Sequence, residues 1–116
     1  MKRLIFALVV LSGCAHAPSQ EEVNKHDYGP APTGYRQQIN DILKANLFDP
    51  FSAVIEVGTP EKGWYYENAF ADTKFSWNVG ARMNAKNRMG GYVGWHYYTF
   101  CYQGEKLVYY FEHMRY

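Results

Sequence analysis

The thiols and imidazoles of this chain are few: Cys14, Cys101, His16, His26, His96 and His113. His96 and His113, set beside Glu112 and Cys101, are the parts from which a Cys/His nucleophilic site is built, with the imidazole activating the thiol. Their spacing does not demand it. Cys101 sits in an apolar run, Tyr97 to Tyr102, where a thiol behaves as a small inert hydrophobe. Ser52 has no Gly-x-Ser-x-Gly turn around it. Glu56, Glu61 and Glu67 stand apart, and pairing of carboxylates across a glycosidic bond is not legible from spacing alone. No P-loop, dinucleotide fingerprint, Cys-x-x-Cys or zinc spacing occurs, so no cofactor and no metal is expected. The balance favours binding over catalysis. Arg82, Lys86 and Arg88 lie close in sequence to Tyr92 and Trp95, and cations beside rings suit an anionic or sugar-bearing ligand. The same stretch also reads as a wide turn or bulge whose Asn and Gly serve backbone geometry.

Placement comes from the N-terminus. Met1-Lys2-Arg3 is a basic start, and Leu4 to Leu11 is an apolar run of eight residues. A spanning helix needs about 20, so the run matches the core of a secretory signal instead. It ends in Leu11-Ser12-Gly13-Cys14. This tetrapeptide resembles the bacterial lipobox, which implies cleavage before Cys14 and acylation of its thiol. Two or more acyl chains, at about 0.8 kcal/mol per buried CH₂, anchor a protein without a transmembrane helix. Ala15 rather than Asp after the Cys is, by resemblance to Gram-negative lipoproteins, a pointer to the outer membrane facing the periplasm. The whole chain carries 12 Lys and Arg against 11 Asp and Glu over 116 residues. Loss of residues 1–13 removes Lys2 and Arg3 and leaves ten against eleven, a formal −1. Such a chain lacks the basic excess of a nucleic-acid binder.

The elements that must position these residues follow from pattern. Residues 14–34, with Pro18, Pro30, Pro32, Gly29 and Gly34, read as the acylated Cys and a flexible tether reaching about 60–65 Å when fully extended. Tyr35, Ile39, Ile42 and Leu43 make one apolar stripe and predict a helix over 35–46, with Thr33 as N-cap. Pro50 ends it. Strands follow over 53–57 and 64–68 as a hairpin around Thr59-Pro60-Glu61-Lys62-Gly63. Phe75, Trp77, Val79, Ala81 and Met83 alternate with polar or small residues and predict the clearest half-buried strand. Strands over 92–102 and 106–112 close the chain around Gln103-Gly104-Glu105. Short loops favour antiparallel neighbours. Residues 35–116 are therefore expected to form a single α+β domain: one N-terminal helix packed on a twisted antiparallel sheet of about five strands. With 18% aromatics, large rings supply much of its core.

Two segments carry a second resemblance. Asp49, Pro50, Ser52 and Ala53, with Asn84-Ala85-Lys86-Asn87 and Gly90, Gly91, Tyr92 and Gly94, are similar to a pattern in small uncharacterised bacterial envelope and phage-associated proteins. That resemblance implies a shared fold and transfers no catalytic residue. Together the features predict a lipid-anchored binding or accessory protein of the cell envelope. Its partners would be the membrane through Cys14 and an envelope protein or glycan, with Arg82, Lys86, Arg88, Tyr92 and Trp95 as candidate binding residues. An inhibitor of a wall hydrolase, a small hydrolase, and a structural component of a secretion or conjugation assembly remain alternatives.

Overall fold

A computed structural model of the chain describes residues 17–114. The signal segment 1–13, Cys14 and residues 115–116 lie outside the described residues. Two helices precede five strands: α1 (Gln20–Lys25), α2 (Tyr35–Lys44), β1 (Val54–Val57), β2 (Glu61–Tyr65), β3 (Lys74–Asn84), β4 (His96–Gln103) and β5 (Lys106–Glu112). All strands pair antiparallel in one sheet, and the fold is α+β.

β3 is the centre. Its odd-numbered side chains, Val79, Ala81 and Met83, are buried against the stripe Tyr35, Ile39 and Leu43 of α2, with Phe100 and Tyr102 of β4 beside them. The alternation that marked this strand in the sequence therefore sorts its two faces, and the helices take the odd one. Ile39, Val79 and Phe100 are fully buried, and deleting such a side chain costs about 2–5 kcal/mol.

β1 and β2 do not form the expected hairpin. Both run antiparallel to β3 along the same edge, β1 against 81–84 and β2 against 74–78. Gly58 N–H donates to Gly80 O at 2.8 Å, and the ladder resumes at Glu61 opposite Asn78. Thr59 and Pro60 thus oppose Val79 alone, which is a bulge in one long edge strand. Pro60 has no N–H to give to β3, so the ladder is interrupted without reversing the chain. β5, on the other edge, also carries a register shift, at Val108. Bulges at both edges, with a proline on one, discourage edge-to-edge pairing. β4 begins at His96 rather than Tyr92, because Gly90 and Gly94 adopt positive φ (82° and 101°) and divert the chain into a loop.

A second difference lies in the expected tether. Ser19 and Glu22 form a reciprocal capping box that starts α1, with bonds of 3.1 and 2.9 Å, and Val23 is buried. His26 stacks on Phe75 with ring centroids 4.1 Å apart, and Trp77 Nε1 donates to Gly29 O. Among the described residues there are thus two α-helices rather than one. Residues 19–29 strap the end of the sheet that α2 leaves uncovered.

α2 ends at Lys44, two residues before the expected limit, and its N-cap is Gly34, which has no side chain to cap with. The Glu105 carboxylate, from the turn between β4 and β5, instead holds the two residues that lead into the helix. It accepts from Thr33 N, Thr33 Oγ1 and Gly34 N at 2.8–3.2 Å. The Thr33 N–H first, then its hydroxyl and the Gly34 N–H, hold the Glu105 carboxyl below its usual range. A carboxyl depressed on folding stabilises the fold above its unfolded value, and the effect fades as pH falls through the depressed value. Glu105→Gln is therefore expected to lower the melting temperature at pH 7 and to converge with the wild type in acid. Thermal melts of both proteins from pH 3 to pH 7 check this; a constant gap across that range contradicts it.

Candidate functional site

The face of the sheet opposite the helices is organised in rows set by register. One row runs Glu61, Asn78, Cys101, Tyr109; the next is Gly58, Gly80, Thr99, Phe111; the third is Glu56, Arg82, Tyr97, with His113 N–H bonded to Tyr97 O. The middle row has no side chains over its first two strands. Nothing lies within 4 Å of where a Cβ on Gly80 would stand. The result is a trough open to solvent, of about 460 Å³, with a backbone floor at Gly58 and Gly80.

Its rim combines paired polar groups with rings. Arg82 Nε and an Arg82 terminal nitrogen both reach Glu56 Oε1, at 2.8 and 2.7 Å. The Arg82 guanidinium also sits 4.0 Å over the Trp95 ring. Hydrogen bonding to Glu56, and then to Tyr97, keeps Arg82 more firmly charged than usual. At the β4–β5 end of the trough, Thr99 Oγ1 and His113 Nε2 are 2.7 Å apart, and the His113 ring stacks on Phe111. Tyr97 is 49% exposed. Beyond the first row the same face closes: Tyr65 lies flat on Tyr109, 5.1 Å between centroids, and buries Cys101 and Ser76. Gly63 leaves room there for the Asn78 side chain, whose amide nitrogen would lie 2.6 Å from a Cβ.

The candidate binding residues divide into two groups. Arg82 and Trp95 belong to the trough side. Lys86, Arg88 and Tyr92 lie on the loop after β3, each cation over a different ring: Lys86 5.6 Å from the Tyr92 centroid, Arg88 5.2 Å from that of Phe48. The five do not converge on one concave patch. Instead the two sequence segments with the shared pattern meet at Ser52. Its hydroxyl accepts from Lys86 N, and its carbonyl accepts from Tyr92 Oη. Asn87 Oδ1 accepts from Met89 N and Gly91 N, and Asn84 Oδ1 from Gly94 N. The pattern's Asn, Gly and Ser residues thus serve loop geometry. Phe51 and Met89 project from this end almost fully exposed.

No Cys/His site is assembled by Cys101 and His96. The two side chains point to opposite faces of β4. His96 Nδ1 pairs with Glu112 at 2.6 Å on the helix side. Burial pushes the Cys101 thiol up to about 11, against a smaller opposing effect of its bond with Ser76. Among the described residues no cluster of His, Cys, Asp or Glu is arranged to hold a metal ion, and no helix is long and apolar enough to cross a membrane.

Of the trough's residues, sequence reasoning selected only Arg82. Glu56, Gly58, Gly80, Tyr97, Thr99 and His113 were missed as a group. The available signal was Gly80, a side-chain gap in the middle of a strictly alternating strand. Comparison with family models, with curated proteins and with solved structures finds no match to this chain.

The state of Cys101 is directly checkable. In a Cys14→Ser variant, the remaining thiol is expected to resist a disulfide reagent at pH 8 in the native state. It should react with one equivalent in denaturant. Rapid labelling of the folded protein contradicts its burial.

Proposed function

We propose that this chain is a lipid-anchored binding protein of the bacterial cell envelope, held at the outer membrane through acylated Cys14. The open sheet face is its recognition surface. The lipobox resemblance supports the placement, and the resemblance of the 47–53 and 84–94 segments to small envelope and phage-associated proteins agrees with it. The trough over Gly58 and Gly80 carries the functional half of the reading. A sheet face left without a helix, with a hollow floor and a rim of paired polar groups and rings, is shaped to receive a ligand.

The strap formed by residues 19–29 changes the geometry of anchoring. Five residue steps lead from Cys14 to the cap of α1 at Ser19, and they span at most about 18 Å. The folded body is therefore held near the bilayer, well short of the stand-off that a fully extended 14–34 segment would give. Binding rather than catalysis is the favoured activity, since Cys101 is buried and faces away from His96.

Expression of the full chain in a Gram-negative host tests the placement. The mature protein is expected to fractionate with outer membranes and to have an intact mass lacking residues 1–13 and gaining acyl chains. Cys14→Ser is expected to abolish both the acyl mass and the outer-membrane fractionation. An unprocessed, unacylated N-terminus overturns the anchoring.

A further inference from the structure

We propose that the trough takes a neutral glycan, one sugar ring lying over Gly58 and Gly80; this rests on the reading of the open sheet face as a recognition surface. The floor is the first reason. Rows on one face of a strand are about 7 Å apart and strands about 4.8 Å apart, so two side-chain-free positions clear a bed of roughly 10 by 14 Å between the flanking rows. A flat ring fits there against Cα hydrogens and peptide planes. A linear peptide would have to bring its own strand onto a face whose backbone bonds are already used within the sheet.

The rim is the second reason. Sugar hydroxyls donate and accept at once, and the rim supplies both roles at short range. On one wall, Arg82 donates while Glu56 Oε2, which takes no bond from the described residues, accepts. At the β4–β5 end, Thr99 and His113 form a donor–acceptor pair. Tyr97 and Phe111 offer ring surface on which the C–H face of a sugar can stack.

Charge is the third reason. Arg82 and Glu56 neutralise each other at 2.7 Å. An anion entering beside Arg82 meets the Glu56 carboxylate, and a cation meets the guanidinium. The trough therefore selects an uncharged polyhydroxylated ligand over phosphate-bearing or acidic ones. The cations that would suit an anion, Lys86 and Arg88, lie on the loop after β3 and do not line the trough.

Gly80 supplies a variant that tests the site without disturbing the fold. Its Cβ position is open, its φ is not positive, and Val is favoured in strands, so Gly80→Val fills the trough and keeps or raises stability. The experiment is amide chemical-shift mapping of the Cys14→Ser protein. The probes, titrated separately, are the uncharged β-1,4-linked N-acetylglucosamine tetramer, an acidic peptide and vesicles containing anionic phospholipid. The expected result is that the tetramer shifts the amides of Gly58, Gly80, Arg82, Thr99 and His113. Gly80→Val, with its melting temperature unreduced, should weaken this binding about tenfold or more, equivalent to roughly 1.4 kcal/mol. Shifts at these amides from the peptide or the vesicles, and not from the tetramer, overturn the glycan and leave the open-face reading standing. Shifts confined to other parts of the molecule, or none with any probe, overturn both. Unaltered affinity in Gly80→Val overturns the placement in the trough.

Discussion

The register of β3 is the constraint on which the rest of the molecule depends. It pairs with β1 and β2 on one edge and with β4 on the other. Its odd-numbered side chains build the core with α2, and its even-numbered ones build the open face. A slip of one residue would turn Val79 and Ala81 to solvent and Gly80 and Arg82 to the helices. The cost of exposing the core thus fixes the positions of Gly80 and Arg82, though neither contributes to that core.

The other elements secure this arrangement from its borders. Glu105, in the last hairpin turn, bonds the two residues that lead into the helix covering β3, which ties that helix to the end of the chain. The strap from Ser19 to Gly29 closes the end of the sheet where Phe75 and Trp77 would otherwise be uncovered. Tyr65 and Tyr109 close the corresponding end of the open face over Cys101. The uncovered remainder of that face is the trough, bounded by Arg82 with Glu56 and by Thr99 with His113. At the far end of β3, Ser52 pins the loop of residues 84–94 through one hydroxyl and one carbonyl bond.

How much of this was legible in the sequence varies with the range of the interaction. The alternation from Phe75 to Met83 and the stripe Tyr35, Ile39, Leu43 are local patterns, and the strand, the helix and their buried faces follow from them. The path of β1 into β2 was misread because Pro60 and Gly63 satisfy a turn as well as a bulge. Which one forms depends on an edge of β3 that no local pattern encodes. The strap was misread because prolines and charged residues outweighed Ser19-Gln20-Glu21-Glu22, although that run is itself a capping signature. Of the trough, only Gly80 was legible, as a gap in the alternation. The trough is made by register, which aligns Gly58, Gly80 and Thr99 across three strands. The basic loop was visible by composition, yet its Lys86 and Arg88 sit over separate rings instead of forming one patch.

The central claim is therefore that Gly80 lies between Gly58 and Thr99 on the helix-free face. Gly80 O accepts from Gly58 N on one side, so against β4 it forms a pair without hydrogen bonds, with Cα atoms about 4.5 Å apart. A nuclear Overhauser measurement on the folded protein reads this directly. A strong cross-peak between the Hα protons of Gly80 and Thr99 is the predicted result. A cross-peak joining Thr99 Hα instead to the Hα of Val79 or Ala81 would contradict it, since that register removes the trough.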